Sequence, residues 1–408
     1  MIKTSETMKR VFVTGIGVVG PSGVTFHEFW HNITLCKSSI TLLKHLSPPF
    51  ASYYGGIIDH IAPDKYFSRR LLNKCSRFSK LALLAVNDAL NNAKMDLNEI
   101  DKSQIGIFVG NNSGGWESAH QGLKTLHTEG PEYVSPFLAS NWFPAAPQGH
   151  ISLAYGIKGY SKSVIADRAS SLLAINYATK LILNGDLELA IAGGTEAPLD
   201  EWALTFYKSS GLMADIPEYK PFSNNRNGMC LAEGAAFFIL ESEESIARRG
   251  AQSCVLAEIK GFGFSLAGSF DVKLDLAIQQ CSRAMQNALL QSHLSPDKID
   301  LISLDGAANE FDDSVEAQSI KKVFGNKYNS VNAFCPKILF GNTIGASGAF
   351  DLALSIAAMN HSTIPCIVDL NNWDLNCAPY RNKQAEINSA MIISRGFGNV
   401  SSVLIVSK

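Results

Sequence analysis

The chain has 408 residues, 46% of them hydrophobic and 18% charged, with a formal net charge of −2. That is enough apolar material for one large core or two fused ones, and the charge balance gives no reason to expect a nucleic acid or an anionic membrane surface as partner. No stretch is apolar for long enough to span a bilayer, and cysteines at 36, 75, 230, 254, 281, 335, 366 and 377, without a CxxC pair or regular spacing, read as reduced thiols of a cytoplasmic protein with no metal or cofactor expected.

In chain order, Lys3, Lys9 and Arg10 precede an apolar run at 11–19 that is interrupted by Gly15 and Gly17. Without a small-x-small cleavage site it reads as a first buried strand, 10–14, followed by a glycine loop, and not as a signal peptide. The loop GIGVVG at 15–20 matches the dinucleotide fingerprint GxGxxG. The helix that fingerprint requires is broken at once by Pro21-Ser22-Gly23, and 35–42 holds no acid for a ribose. The glycines therefore serve close backbone packing.

A basic helix is expected from 68 to 91, with Arg70, Lys74 and Arg77 on one face. Functionally that face is a docking site for an acidic partner; the plain alternative is a solvated stripe. A strand at 105–110 leads through Asn111-Asn112-Ser113-Gly114-Gly115-Trp116 into a helix. Phe137, Trp142 and Phe143 crowd 135–150, a density that suggests an interface or a tunnel wall, although core packing competes for each ring singly. His150, with no acid or nucleophile beside it, reads as a satisfied structural histidine.

The stretch 163–197, SVIADRASSLLAINYATKLILNGDLELAIAGGTEA, organises the rest. It predicts a strand at 163–166, a turn at Asp167-Arg168-Ala169, a helix at 170–183 stopped by Asn184-Gly185, and a buried strand at 187–192 ending in Gly193-Gly194. The helix is apolar on nearly every side and is expected to be buried all round. Its N-terminus offers free N–H groups and a positive dipole end, a natural place for a cysteine whose thiolate needs stabilising. The position holds Arg168.

The charged run at 241–250 marks a boundary between halves 1–250 and 251–408. Beyond it follow a strand at 254–259, helix 274–290, strand 299–304, helix 313–324, a strand end at 337–340, helix 349–360, and strands at 389–393 and 403–406. This order partly repeats that of the first half. Two similar α/β halves, each with its own sheet, are the architecture it implies.

Several stretches in order, VFVTGIGVVGPSG, SPFLASNWFPAAPQGHISLAYGIKG, NGDLELAIAGGTEA, KPFSNNRNGMCLAEGAAFFILE, EAQSIKKVFG, KILFGNTIGASGAFD and SRGFGNVSSVLI, resemble the β-ketoacyl synthases of the condensing-enzyme, or thiolase-fold, superfamily. The resemblance covers essentially the whole chain and implies a layered αβαβα core. In that family a Cys at the start of the central helix attacks the acyl thioester. Two His residues, in a His-Gly-Thr and a Gly-His turn, promote decarboxylation of the malonyl unit, and a Lys supports the second. Carried over by motif, the Cys position falls on Arg168, the His positions on Asp305 and Asn342, and the Lys on Lys337. Condensation needs a thiolate, which neither Arg nor Asn supplies, and Asp305 would repel an enolate.

Fold kept with Cys lost resembles the chain-length factor, the ketosynthase β subunit of type II polyketide synthases, although members commonly carry Gln where this chain has Arg168. The resemblance implies a non-condensing subunit that forms a heterodimer with an active β-ketoacyl synthase. Together they would hold a poly-β-keto or polyene chain carried by an acyl carrier protein. Asn112, Ser113, Trp116, His120 and Phe137 are then tunnel candidates, and Arg70, Lys74 and Arg77 carrier-docking candidates. Two alternatives remain: a divergent acyltransferase or hydrolase using Asp167, Arg168 and Asp305, and a homodimeric scaffold. The fold should also bring Arg168 to Asp305 as an ion pair, with Asp167 competing and Asn342 accepting from the guanidinium.

Overall fold

The computed structural model describes residues 9–214, 216–268, 272–368 and 382–408. The first half supplies β1 (Val11–Val19), β2 (Thr41–Leu42), β3 (Tyr54–Gly55), β4 (Ile105–Gly110), β5 (Ser161–Val164), β6 (Leu189–Glu196) and β7 (Gly234–Ser242). The second supplies β8 (Ala257–Ser265), β9 (Leu301–Ser303), β10 (Asn332–Phe334), β11 (Thr363–Ile364), β12 (Ile367–Val368), β13 (Lys383–Gln384), β14 (Ser389–Gly396) and β15 (Val400–Ser407).

Five strands of each half follow one rule. In the first, β5-β4-β6 pair in parallel and β6-β7-β1 antiparallel. In the second, β10-β9-β14 pair in parallel and β14-β15-β8 antiparallel. The duplication faintly visible in the element order is thus a duplication of strand order. The halves do not keep separate sheets, however. Residues Phe12 and Val13 of β1 pair with Glu258 and Ala257 of β8, joining both into one eleven-stranded sheet among the described residues. Each half-sheet ends there on an antiparallel edge whose N–H and C=O groups need partners, and the other half supplies them.

The helices complete five layers. Ser170–Asn184 and Ser347–His361 pack on each other and on strands of both halves, while Arg77–Asn92 covers β1 and β7, and Leu274–Ser292 covers β8 and β15 from outside. The α/β, thiolase-like αβαβα core is therefore present. Every residue from Ser347 to Met359 is buried, so the second central helix is enclosed all round, with Asp351 and Ser355 among its buried residues. Its partner Ser170–Asn184 is mostly so, but Tyr177 and Lys180 reach solvent.

Local departures have physical causes. β1 runs straight through the glycines expected to form a loop. A Cβ on Gly15 would lie 2.3 Å from the Ala89 carbonyl oxygen, and one on Gly17 1.9 Å from that of Ala85. The glycines are what lets the helix Arg77–Asn92 lie directly on the strand. The expected single helix over 68–91 is two, Arg69–Leu72 and Arg77–Asn92, separated by an extended Ser76. The strand end expected at 337–340 is instead a 3₁₀ turn, Pro336–Ile338, after β10. Among the described residues, no helix is long and apolar enough to cross a membrane.

Candidate functional site

The end of β5 turns through Asp167, whose φ of 49° lies in the left-handed region. The turn is tied down by Ser170, whose hydroxyl donates to the Asp167 carbonyl (2.6 Å) and accepts from the Ala166 N–H (2.8 Å). One carboxylate oxygen of Asp167 accepts from the Phe397 N–H at 2.8 Å, which pins the elbow to the turn between β14 and β15. Arg168 follows, only 3% exposed, at the opening of the central helix.

A cation there opposes the helix dipole and lies out of water. Three carboxylates surround it. Its Nε is 3.2 Å from Asp305 Oδ2, its Nη1 3.5 Å from Asp167 Oδ2 and its Nη2 3.3 Å from Asp312 Oδ2. Burial alone would lower the guanidinium pKa; Asp305, Asp167 and Asp312 outweigh it and hold the group charged. Asp312 also pairs with Arg395, Nη1 to Oδ1 at 3.0 Å. Burial works against its charge, yet Arg395 and Arg168 keep its pKa below the ordinary value.

Asp305 is a junction between this cage and a second layer. Its N–H and that of Gly306 both donate to the Glu316 carboxylate, at 2.7 and 3.0 Å. Burial, with the Asp305 charge adding to it, pushes Glu316 up to about 8. The Asp305 carbonyl accepts from Lys337 Nζ at 3.0 Å, and Lys337 is ion-paired to buried Asp351 at 2.6 Å. Asp305 Oδ1 has no partner among the described residues.

Asn342 stands apart from the guanidinium it was expected to meet. Its Oδ1 accepts from the Ile344 N–H (2.9 Å) and its Nδ2 donates to the Tyr219 hydroxyl (3.1 Å). That hydroxyl donates in turn to the Gly306 carbonyl at 2.5 Å. Both ends of the amide are engaged, so Asn342 joins the site through Tyr219. The thiol of Cys335 lies under this turn, where a Cβ on Gly306 (φ 56°) would come within 2.7 Å of it. Burial pushes that thiol well above its ordinary range, the opposite of a nucleophile. Over the cage opens a cavity of about 510 Å³ rimmed by Leu212, Leu266, Phe311 and Phe397, with Asp167, Arg168 and Asp312 in its wall.

The geometry thus brings together Arg168, Asp305 and Lys337 directly and Asn342 at one remove. Sequence reasoning missed Asp312, Arg395, Glu316 and Tyr219. The acid-rich run Glu310-Phe311-Asp312-Asp313 was the one local signal; Glu316 follows it one turn later on the same helix, while Tyr219 and Arg395 reach the site from distant segments.

The tunnel candidates divide. Asn112 and Ser113 hold buried Glu196 through their N–H groups and the Ser113 hydroxyl. Burial raises that carboxyl to about 7. Asn112 Nδ2 donates to the Tyr207 hydroxyl at 3.2 Å. Trp116 packs edge-on against Phe206, ring centres 5.5 Å apart, while His120 stacks on Trp202 and contacts Asp200 at 2.7 Å. Asn112, Trp116 and His120 gather around the helix Glu201–Ser209, while Ser113 stays on Glu196 at the end of β6. Phe137 lies elsewhere, exposed, with Lys74 Nζ 5.8 Å from its ring.

Two expectations need correction. Arg77 does not share an open basic face with Arg70 and Lys74. It begins a separate helix and forks onto buried Glu233, Nε and Nη2 at 2.5 and 2.6 Å, with Nη2 also on the Ile58 carbonyl. A carboxylate buried at that depth demands a cation, and Arg77 is within reach. His150 is buried, and burial lowers its pKa, but its Nδ1 has no partner among the described residues, so it is structural without being fully satisfied there.

Fold and site together define a duplicated, five-layered α/β protein whose central-helix elbow carries a caged arginine. The chain belongs to the β-ketoacyl synthase family: the profile described as "Beta-ketoacyl synthase, N-terminal domain" matches residues 8–245, and "Beta-ketoacyl synthase, C-terminal domain" matches 256–371. It is 27% identical to a 3-oxoacyl-[acyl-carrier-protein] synthase 2 of Coxiella burnetii, over 98% of this chain and 99% of that protein. The structure of the ishigamide ketosynthase/chain length factor superposes with a TM-score of 0.90 at 23% identity, covering 98% of this chain and 100% of that one. A ketosynthase (ApeO) in complex with its chain length factor (ApeC) from Xenorhabdus doucetiae gives 0.82 at 19% identity, with both chains fully covered. At those identities the two structures share the fold.

Proposed function

We propose that this chain is a non-condensing, chain-length-factor-like subunit that pairs with an active β-ketoacyl synthase in a type II polyketide or aryl polyene synthase. The observation that carries the reading is Arg168, which stands where the family resemblance places the nucleophilic Cys and is locked among Asp305, Asp167 and Asp312. A guanidinium cannot form an acyl thioester, and it fills the space an acyl carbonyl would need. The carboxylates that hold it would also repel a malonyl group. Decarboxylative condensation therefore falls to the partner's Cys, fed by an acyl carrier protein.

A second observation supports a partner. The helices Trp116–Thr128 and Leu138–Asn141 have no buried residue at all. Leu123, Leu126, Tyr133, Phe137, Trp142 and Phe143 are exposed along 116–143, and β5 ends the sheet beside them. A surface with that much apolar area and an open strand edge is an interface awaiting its other side. In this reading the partner covers it, and 111–120 with Phe137 borders the tunnel for the growing chain.

The test is to express the chain alone and with a Cys-containing ketosynthase from the same genome, incubate each with acyl-loaded carrier protein, and read intact masses. The expected result is co-purification as a heterodimer with the acyl adduct on the partner only. An adduct on this chain, or a stable homodimer that ignores the ketosynthase, overturns the proposal.

A further inference from the structure

A second large cavity, of about 600 Å³, lies away from Arg168. It sits between the start of the helix Arg77–Asn92, one side of Trp116–Thr128, and the segment 133–141. Its size is in the range of small-molecule sites, about 300–1,000 Å³, but its lining is unusual for a hydrocarbon pocket. Arg77 and Lys80 enter from one helix. Glu117, Gln121 and Thr125 enter from the next, at a four-residue spacing that puts them on one face.

These groups differ in how far the chain already engages them. Arg77 gives Nε and Nη2 to Glu233 and the Ile58 carbonyl, which leaves Nη1. Among the described residues, the Lys80 ammonium, the Glu117 carboxylate and the Gln121 amide make no hydrogen bond or close ion pair within the chain. Water can satisfy such groups while the cavity is open. The helices that form its outer wall carry no buried residue of their own, so a partner laid on that face would roof the cavity and remove the water. A saturated or polyene chain entering there would leave the Gln121 amide without a partner, and the Lys80 ammonium and Glu117 carboxylate with only the charge attraction between them and that of Glu117 for Arg77. A chain bearing carbonyl oxygens can accept from Lys80, Arg77 and Gln121, and its hydroxyl or enol O–H can donate to Glu117.

We infer that this cavity is a specificity subsite for the far end of the growing chain, and that it selects an oxygenated chain, keto or hydroxylated, over a hydrocarbon one. The inference rests on the reading of the chain as a tunnel-shaping subunit, and it decides between the two classes of intermediate that reading leaves open.

The probes are three seven-carbon acids that differ in oxygenation and unsaturation: 4,6-dioxoheptanoate, 4,6-heptadienoate and heptanoate. Each is titrated by ligand-observed NMR into the chain purified with its ketosynthase. The dioxo acid is expected to bind about tenfold more tightly than either hydrocarbon acid, the factor that one hydrogen bond to a charged group supplies. Lys80→Met combined with Gln121→Leu should bring all three to within about twofold of one another. Gln121→Leu alone, at an exposed residue, should remove part of the preference if the double variant fails to fold. Equal affinities in the unsubstituted complex, or a preference that survives these substitutions, overturns the inference. If no complex forms, the reading of a paired subunit fails, and the inference that rests on it falls with it. If the complex forms and the dioxo acid is not preferred, only the cavity inference falls.

Discussion

The elbow at Arg168 and the face along 116–143 are both departures from an ordinary soluble interior, and they differ in whether the chain completes them. At the elbow a buried cation meets three carboxylates, and one of those meets a second arginine. All these partners come from this chain. Along 116–143 there is no such closure: Trp142 is 43% and Phe143 52% exposed, and no residue of either helix is buried. A condensing site would show the reverse at the elbow, an unpaired nucleophile waiting for substrate. The difference teaches that this chain satisfies its buried charges from within and leaves apolar surface uncovered, which is the combination the proposed shape-giving subunit requires.

The largest effect should come from breaking the closed region. Arg168→Gln leaves Asp305, Asp167 and Asp312 facing one another out of water. By the usual consequence of removing one partner of a buried ion pair it should cost about 3–5 kcal/mol, read as a lower denaturant midpoint. Asp305→Asn should cost less, because two carboxylates still hold the guanidinium and Glu316 loses its repelling neighbour. The double variant should fall well short of the sum. Additive losses would mean the groups do not act as one cage.

Breaking the open region should do the opposite. Trp142→Glu with Phe143→Glu should leave the chain's own melting temperature nearly unchanged but weaken ketosynthase pairing by about 2 kcal/mol or more, roughly thirtyfold, measured by dissociation of the purified complex. A lower melting temperature with intact pairing would assign these rings to the chain's own core.

pH separates the two regions more finely. Glu316 stands at about 8 in the folded chain against about 4.3 unfolded. Between those values the folded state keeps a proton that the unfolded state has lost. The stability from this group is therefore full below the unfolded value and falls as pH rises through the window, by at most about 1.4 kcal/mol per unit. Glu316→Gln should flatten the decline in a thermal series; an unchanged slope would place its origin elsewhere, among Glu196, Asp313 and Asp351, whose carboxyls each stand at about 7. The smallest effect belongs to the surface charges. Arg70→Glu with Lys74→Glu should slow turnover with carrier protein at low salt and have little effect at high salt. Arg77 is excluded from this pair because its charge belongs to Glu233.

Much of this was legible in residue order. The turn at 167–169 and the helix start at Ser170 are local events, set by the apolar run and its Asn184-Gly185 stop, and they stand where expected. So does the Arg168–Asp305 pair, because motif order carries the topology of the family with it. What failed did so where distant backbone decides. Gly15 and Gly17 read as a loop because glycine is locally permissive, yet they lie mid-strand because a helix some seventy residues on must touch that strand. Arg77 read as one of three solvated cations because spacing alone cannot reveal Glu233, 156 residues away.

By itself, then, the sequence determined the fold class and the repeated order of strands and helices, and the family resemblance placed Arg168, Asp305 and Asn342 where condensing members carry Cys and two His. These follow from periodicity, turn residues and motif identity, all carried by short stretches. Tertiary structure alone decided that the two half-sheets meet through β1 and β8, that Asp312 and Arg395 complete the cage, and that Asn342 reaches it only through Tyr219. The physical reason is that a buried charge or an unpaired strand edge must be satisfied by whatever group the fold brings within about 3 Å, and that neighbour can lie anywhere along the chain.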